Sequence, residues 1–413
     1  MRPAATSSRA WLIGAVGFLV FVNVYSTQSL LPLLRLEFPG ASTFHASLTV
    51  AATTIGIALA APLAGLLAER LGRKATITGA LALITLPVCG AATAPTLDAL
   101  IVWRLAQGLL MPGVIAVAMA YIAEEWPGPG QAAHVMGVYV AGNVLGGVCG
   151  RVASALLADF AGWRVALLVL GVVNAVGAAV VWRWLPRSAA PHAPTPWGQA
   201  LRDMRAHLKR PEMLATFGLG LAALFALAGS FTWITFYLAG PPFGLSTAAV
   251  GLLFLVYMLG VIVTPFTGPI IARTGHRAAW VGAAVVSIAG VALTLVATLP
   301  TVVAGLALIS TGVFVCQSAA ASYLGLIAGR GRASAAGLYT TFYYLGGTLG
   351  AAAPALVWSR GGWPACVALI AAVLAAGCAC ALLGWRRAKV TTTATRRTSV
   401  EESEARSGVA TGD

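Results

Sequence analysis

GVYVAGNVLGGVCGRVASALLADFAGW at residues 137–163 returns 200 positions later as GLYTTFYYLGGTLGAAAPALVWSRGGW at residues 337–363. Aligned without a gap, eleven of the 27 positions agree: Gly137, Tyr139, Leu145, Gly146, Gly147, Gly150, Ala153, Ala155, Leu156, Gly162 and Trp163 recur at 337, 339, 345, 346, 347, 350, 353, 355, 356, 362 and 363. Gly142, Gly146 and Gly150, with Gly346 and Gly350 in the second copy, repeat at helical spacing. Such a stripe lets the backbone of a second helix approach closely. Two similar helical halves around one axis is the organisation this repeat implies.

Working outward, the rest of the chain is as apolar as the repeat. Hydrophobic residues make up 59% and charged residues 9% of 413 residues, against roughly 25% charged in a soluble domain. Lipid must therefore solvate most of the surface, and helices of about 20 residues satisfy their own backbone while crossing it. Twelve spans are expected: 11–33, 47–67, 75–94, 97–123, 131–157, 163–184, 214–238, 248–269, 278–299, 302–327, 333–358 and 363–384. The fold class is thus an all-α membrane protein of twelve transmembrane helices in two six-helix pseudo-symmetric bundles. The first apolar run, with Arg2 and Arg9 before it, is too long for a cleavable signal and reads as the first span.

A net charge of +14 suggests nucleic acid in a soluble chain, but its distribution assigns it to topology. Counting loops alternately, 21 Lys and Arg fall on one side and only Arg35, Arg164 and Arg360 on the other. By the positive-inside rule both termini and the central loop are cytoplasmic. The expected domains are a bundle at 1–184, a cytoplasmic linker at 185–213, a bundle at 214–385 and a disordered tail at 386–413. The linker opens Pro/Ala-rich and closes as WGQALRDMRAHLKR, whose Trp197, Leu201, Met204 and Leu208 recur at helical spacing. That segment is either a helix on the anionic leaflet or a solvated tether. All six cysteines lie within apolar spans without metal-site spacing and read as small buried filler.

Between spans two and three stands Gly65-Leu-Leu-Ala-Glu69-Arg70-Leu-Gly72-Arg73-Lys74. The same loop of the second half keeps Gly268, Arg273 and Gly275 but has Ala272 where the acid stood. Span four carries Arg104-Leu-Ala-Gln107-Gly108. These motifs resemble the loop signature and the fourth-helix R-x-x-Q-G of the major facilitator superfamily, over about residues 11–385. The resemblance implies a secondary transporter, most similar to bacterial efflux permeases. It also implies a gate-latching role for Glu69, Arg70 and Arg73. Gly142-Asn143 to Gly150-Arg151 resembles the glycine-rich fifth-helix motif of antiporter members, with Asn143 where Gly-Pro is usual.

Charges inside a span are expensive and normally face a cavity or partner. Arg104 either snorkels to the outer headgroups or faces inward as a substrate or coupling cation, and Arg151 mirrors it on the next helix. Helices one, four, seven and ten line the pathway in the superfamily. The resemblance therefore implies pathway roles for Asn23, Gln28, Arg104, Gln107, Trp233, Tyr237 and Gln317, each Trp or Tyr alternatively belonging to the interface belt. Asn143, Arg151, Tyr343 and Tyr344 complete the candidate set. All twelve acids lie in loops, the tail or near span ends. Asp98 and Asp159, near the outer ends, are the candidates for proton coupling or else interfacial charges.

The functional expectation is proton-driven efflux of a small polar, anionic or drug-like solute by alternating access, with uptake symport of an anionic metabolite as the alternative. A non-transporting membrane sensor or enzyme is the rival class. An enzyme would need clustered intramembrane His, Asp, Glu or Cys, and no phosphate-binding G-x-x-x-x-G-K-[S/T] loop is present. Partners are a small-molecule solute, lipid and protons. The chain is expected to act as a monomer in the cytoplasmic (inner) membrane, without cofactor, metal or nucleic acid.

Overall fold

The computed structural model describes residues 10–126, 128, 130–187, 196–329 and 331–385. The expectations for residues 1–9, 188–195, Arg330 and the tail 386–413 fall outside them. Helix α1 (Ala10–Val24) continues through a 3-10 turn at Gln28–Leu30 into α2 (Leu31–Glu37). Next come α3 (Thr43–Leu71), α4 (Arg73–Ala92), the pair α5 (Leu97–Leu110) and α6 (Pro112–Glu125), α7 (Gln131–Ala161) and α8 (Trp163–Trp184). After α9 (Trp197–Leu208) the second set runs α10 (Pro211–Ala239), α11 (Thr247–Leu252), α12 (Tyr257–Thr274), α13 (His276–Leu293), α14 (Leu299–Ile327), α15 (Arg332–Ala352) and α16 (Ala355–Gly384).

Local chemistry sets the helix starts. The hydroxyls of Ser42, Thr96 and Ser246 accept from the backbone N–H three residues on, capping α3, α5 and α11. Prolines sit in the first turns of α2, α6, α10 and α14, where no N–H partner is lost. Among the described residues ten helices are long and apolar enough to cross a membrane. An eleventh is the stretch from α11 through α12, whose parts Thr247–Gly260 and Pro265–Thr274 are bent by 51° to each other. Prolines 265 and 269 lie within α12. The remaining span of the expected twelve is α15, whose Thr, Tyr and Gly content leaves it less apolar although it is 21 residues long.

The two halves repeat at the level of backbone. Left-handed glycines occur in matching loops: Gly40 with Gly244, Gly72 with Gly275, Gly130 with Gly331, and Gly162 with Gly362. The glycine stripe of α7 lies on α1, where a Cβ on Gly146 would strike Phe18 O and one on Gly150 would strike Val22 O. In the second half Gly346 meets Leu221 O and Gly350 meets Phe225 O of α10 in the same way. One layer differs. Gly142 against Gly14 becomes Phe342 stacked on Phe217, with ring centroids 5.3 Å apart.

The halves meet through α3 against α15 and through α7 against α11 and α12. Near mid-span Thr54 and Thr348 share a hydrogen bond at 2.9 Å, and closer to the end that carries the Gly72 and Gly275 loops, here the basic end, Thr341 donates to Ala58 O. Towards the other end Gly251 of α11 packs on Ala155 of α7. The linker helix α9 is neither a free tether nor a lipid-only helix. Its Ala200 and His207 are buried, and Ser334 Oγ of α15 donates to Ala200 O at 3.5 Å. Leu201, on its other face, stays 60% exposed.

Candidate functional site

Arg151 stands on α7 one turn beyond Gly147, where the glycine stripe lets α1 come close. Its Nε donates to Gln28 Oε1 at 2.7 Å and its Nη1 to Gly147 O at 2.7 Å. Gln28 Nε2 in turn donates to Thr232 Oγ1 of α10 at 2.9 Å. The guanidinium carbon lies over the rings of Tyr25 (4.4 Å), Tyr257 (4.7 Å) and Phe254 (5.2 Å). Tyr25 and Gln28 come from the first half; Thr232, Phe254 and Tyr257 come from the second. One cation therefore bridges both halves, held by an amide and three aromatic faces. Cation–π contacts strengthen when desolvated, and Arg151 is 3% exposed.

Arg104 is buried inside the first half. The snorkelling alternative is thereby excluded, since the side chain is 1% exposed. Its Nη1 donates to Asn23 O (2.9 Å), Ser26 Oγ (3.2 Å) and Gln107 Oε1 (2.6 Å), its Nε to Thr49 O (3.3 Å) and its Nη2 to Val24 O. The Asn23 and Val24 carbonyls are available because α1 ends at Val24 and leaves its last C=O groups without helical partners. Gln107 Nε2 also donates to Asn23 O, and Asn23 Nδ2 reaches Asn174 Oδ1 of α8 at 3.2 Å. Arg104 thus ties α1, α3 and α5 together, each of these partners being a neutral oxygen.

The other sequence-derived candidates divide by place. Trp233 is fully buried and donates from Nε1 to Ala351 O at 2.9 Å. Its counterpart in the first half is Ser29, whose hydroxyl donates to Arg151 O at 2.8 Å. Tyr237 is stacked on Trp363 at 5.8 Å. Asn143 faces α1 where Gly17 leaves it room. Gln317 is half-buried on α14. Tyr343 contacts Tyr339 and Tyr344, with centroids 6.1 and 5.5 Å away, and lies within electrostatic reach of Tyr25 and Tyr257. The tyrosines of α15 therefore adjoin the Arg151 box.

Asp98 and Asp159 are both exposed, and Asp98 pairs with His45 at 2.6 Å. In the first signature loop Arg73 pairs with Glu124 at 2.8 Å, and Arg70 lies 5.3 Å over Trp197 of α9. Gly65 and Gly268 have open space beside them. Arg273 ends α12 before Gly275.

Sequence reasoning missed Phe254 and Tyr257 around Arg151, Asn174 behind Asn23, and Glu124 as the partner of Arg73. An asparagine in the middle of the apolar run of α8 is a signal that could have found Asn174. Phe254 and Tyr257 carry none, since aromatic residues in a span are ordinary.

Comparison with known proteins agrees with this geometry. The sequence model of the Major Facilitator Superfamily matches residues 13–351 and again 240–409. The chain is 31% identical over 363 residues to the uncharacterized MFS-type transporter YybF of Bacillus subtilis, covering 87% of this chain and 89% of that one. It is 30% identical over 362 residues to the inner membrane transport protein YnfM of Escherichia coli, with 87% and 86% covered. Among solved structures, a bacterial homologue of the human lysosomal transporter Spinster, inward-facing and occupied, superposes with a TM-score of 0.73 at 16% identity, covering 94% of this chain and all of that one. The nucleoside transporter NupG gives 0.73 at 16% identity over 91% of this chain and all of that one. The duplicated halves, the signature loop and these matches together place the chain in the major facilitator superfamily of membrane transporters.

Proposed function

We propose that this transporter exports a small polar or anionic solute, driven by the proton gradient, by rocking its halves alternately open around Arg151. The observation that carries this reading is the Arg151 box. Among the described residues this buried cation, whose partners are an amide, a carbonyl and aromatic faces, forms no ion pair. Negative charge is therefore favoured beside it and an organic cation is repelled. Because its partners come from both halves, a solute that engages the guanidinium competes with contacts that hold the halves together. That competition links occupancy to opening.

The charge asymmetry of the loops supports a cytoplasmic basic end, with both termini on that side of the inner membrane. The internal repeat and the matching helix order support two bundles, at 1–184 and 214–385, joined by a linker at 185–213. Coupling rests on exposed titratable groups such as the His45–Asp98 pair, or on a proton carried with the solute.

Purified protein in proteoliposomes, given a panel of anionic, neutral and cationic solutes with and without an imposed pH gradient, tests the reading. Anionic or neutral solutes should move faster with the gradient, and Arg151→Gln should slow them by about tenfold or more, matching the loss of one desolvated charge interaction of ~1.4 kcal/mol or more. Rapid movement of cationic dyes alone, or an unchanged Arg151→Gln rate, contradicts it. Net movement into the basic-end compartment would favour uptake over export.

A further inference from the structure

At the basic end a cleft of about 670 Å³ opens between the α3–α4 loop and the ends of α6 and α8. Its walls carry five cations, Arg70, Arg73, Lys74, Arg183 and Arg187, against the two carboxylates Glu69 and Glu124. Two of the five already have partners: Arg73 is paired with Glu124 and Arg70 lies over Trp197. The other three converge. Lys74 is within electrostatic reach of both Arg183 and Arg187. Among the described residues none of these three forms an ion pair. Like charges gathered without a counter-ion are mutually destabilising. An oxyanion seated among them removes that repulsion and accepts charge-assisted hydrogen bonds from each.

The cleft also has a fixed depth in the membrane. Trp182 lines it, and both Trp182 and Trp184 project outward at the end of α8, 64% and 55% exposed. Tryptophans at a span end sit at the level of the lipid headgroups. Trp182 thus places the cation trio at the height of lipid phosphates.

We infer that this cleft binds the phosphate of an anionic phospholipid, held by Lys74, Arg183 and Arg187 with Trp182 against the glycerol backbone. Basic pockets between transmembrane helices at a membrane face recognise such headgroups. The consequence reaches the gate. Arg70 lines the cleft and also stacks on α9, which is anchored on α15 by His207 at 3.2 Å from Gly331 O and by the Ser334–Ala200 bond. A headgroup in the cleft is therefore two contacts away from the second half.

Thermal unfolding of the full-length protein in neutral detergent tests the site without any transport assay. Short-chain phosphatidylglycerol should raise the unfolding midpoint by about 2–4 °C, as a ligand of the folded state does, and phosphatidylcholine should not. The triple substitution Lys74→Gln, Arg183→Gln, Arg187→Gln should remove most of that shift, and Arg183→Lys with Arg187→Lys should keep it. Inorganic phosphate at equal concentration separates the sources. A shift as large as the lipid's would mean a site for a soluble oxyanion and would overturn the lipid assignment. An equal phosphatidylglycerol shift in the wild type and the glutamine variant would overturn the site itself. If the glutamine variant does not fold, quenching of Trp182 fluorescence in the wild type decides, with Trp182→Phe as the blank. Stronger quenching by brominated phosphatidylglycerol than by brominated phosphatidylcholine supports the site, and equal quenching overturns it.

Discussion

Arg104 and Arg151 are the same residue type on consecutive spans, yet their surroundings give them different work. The donors of Arg104 are taken by carbonyl, hydroxyl and amide oxygens of α1, α3 and α5, so it acts as an internal tie of the first half. Truncation leaves several buried oxygens without donors, and Arg104→Ala should lower stability by about 3–5 kcal/mol, as breaking a buried charge network does. Arg104→Lys should recover little of it, because an ammonium cannot span acceptors on three sides as a planar fork does. Unfolding of the purified variants in detergent measures both. A lysine variant as stable as the wild type would make the forked geometry irrelevant. That both arginines are buried was legible from their place in apolar spans. Which one faces the other half was not, because Phe254 and Tyr257 lie about a hundred residues away and look like any other apolar span residues.

Helix packing is where the sequence could be read furthest. The repeat at residues 137–163 and 337–363 announces a glycine face, and those glycines bear directly on the backbones of α1 and α10. The quality of the contact varies by position in a way spacing alone does not reveal. A Cβ at Gly146 or Gly346 strikes a carbonyl oxygen, whereas one at Gly218, on α10, meets nothing within 4 Å. Gly146→Ala and Gly346→Ala should each destabilise by about 1–3 kcal/mol through overpacking. Gly218→Ala should be neutral or stabilising by up to ~1 kcal/mol, since alanine is the better helix former. Equal effects at all three positions, measured by thermal unfolding, would show that helix propensity outweighs close approach. The correspondence of Ser29 with Trp233 stayed hidden for a different reason. A serine and a tryptophan share no sequence signal, and only the bond each donates to a backbone carbonyl, Arg151 O of α7 or Ala351 O of α15, pairs them.

Across the whole molecule, the halves are joined at two levels at once. From mid-span towards the basic end α3 and α15 share the Thr54–Thr348 and Thr341–Ala58 bonds. Towards the other, the Gln28–Thr232 bond and the packing of Gly251 on Ala155 hold them. Rocking requires one set to part while the other holds. The polar character of α15, which set it below the hydropathy of the other spans, follows from this position: a helix that faces a partner half along its length needs less apolar surface than one bathed in lipid.

The most direct measurement of two rocking halves is a reversible cross-link at their seam. The Thr54 and Thr348 hydroxyls are 2.9 Å apart, so Thr54→Cys with Thr348→Cys, in a chain freed of its six native cysteines, brings two thiols within bonding reach. In proteoliposomes, transport of whichever solute the panel identifies should fall at least tenfold on oxidation and return fully with a reductant. Undiminished transport by quantitatively cross-linked protein would contradict the movement of one half against the other.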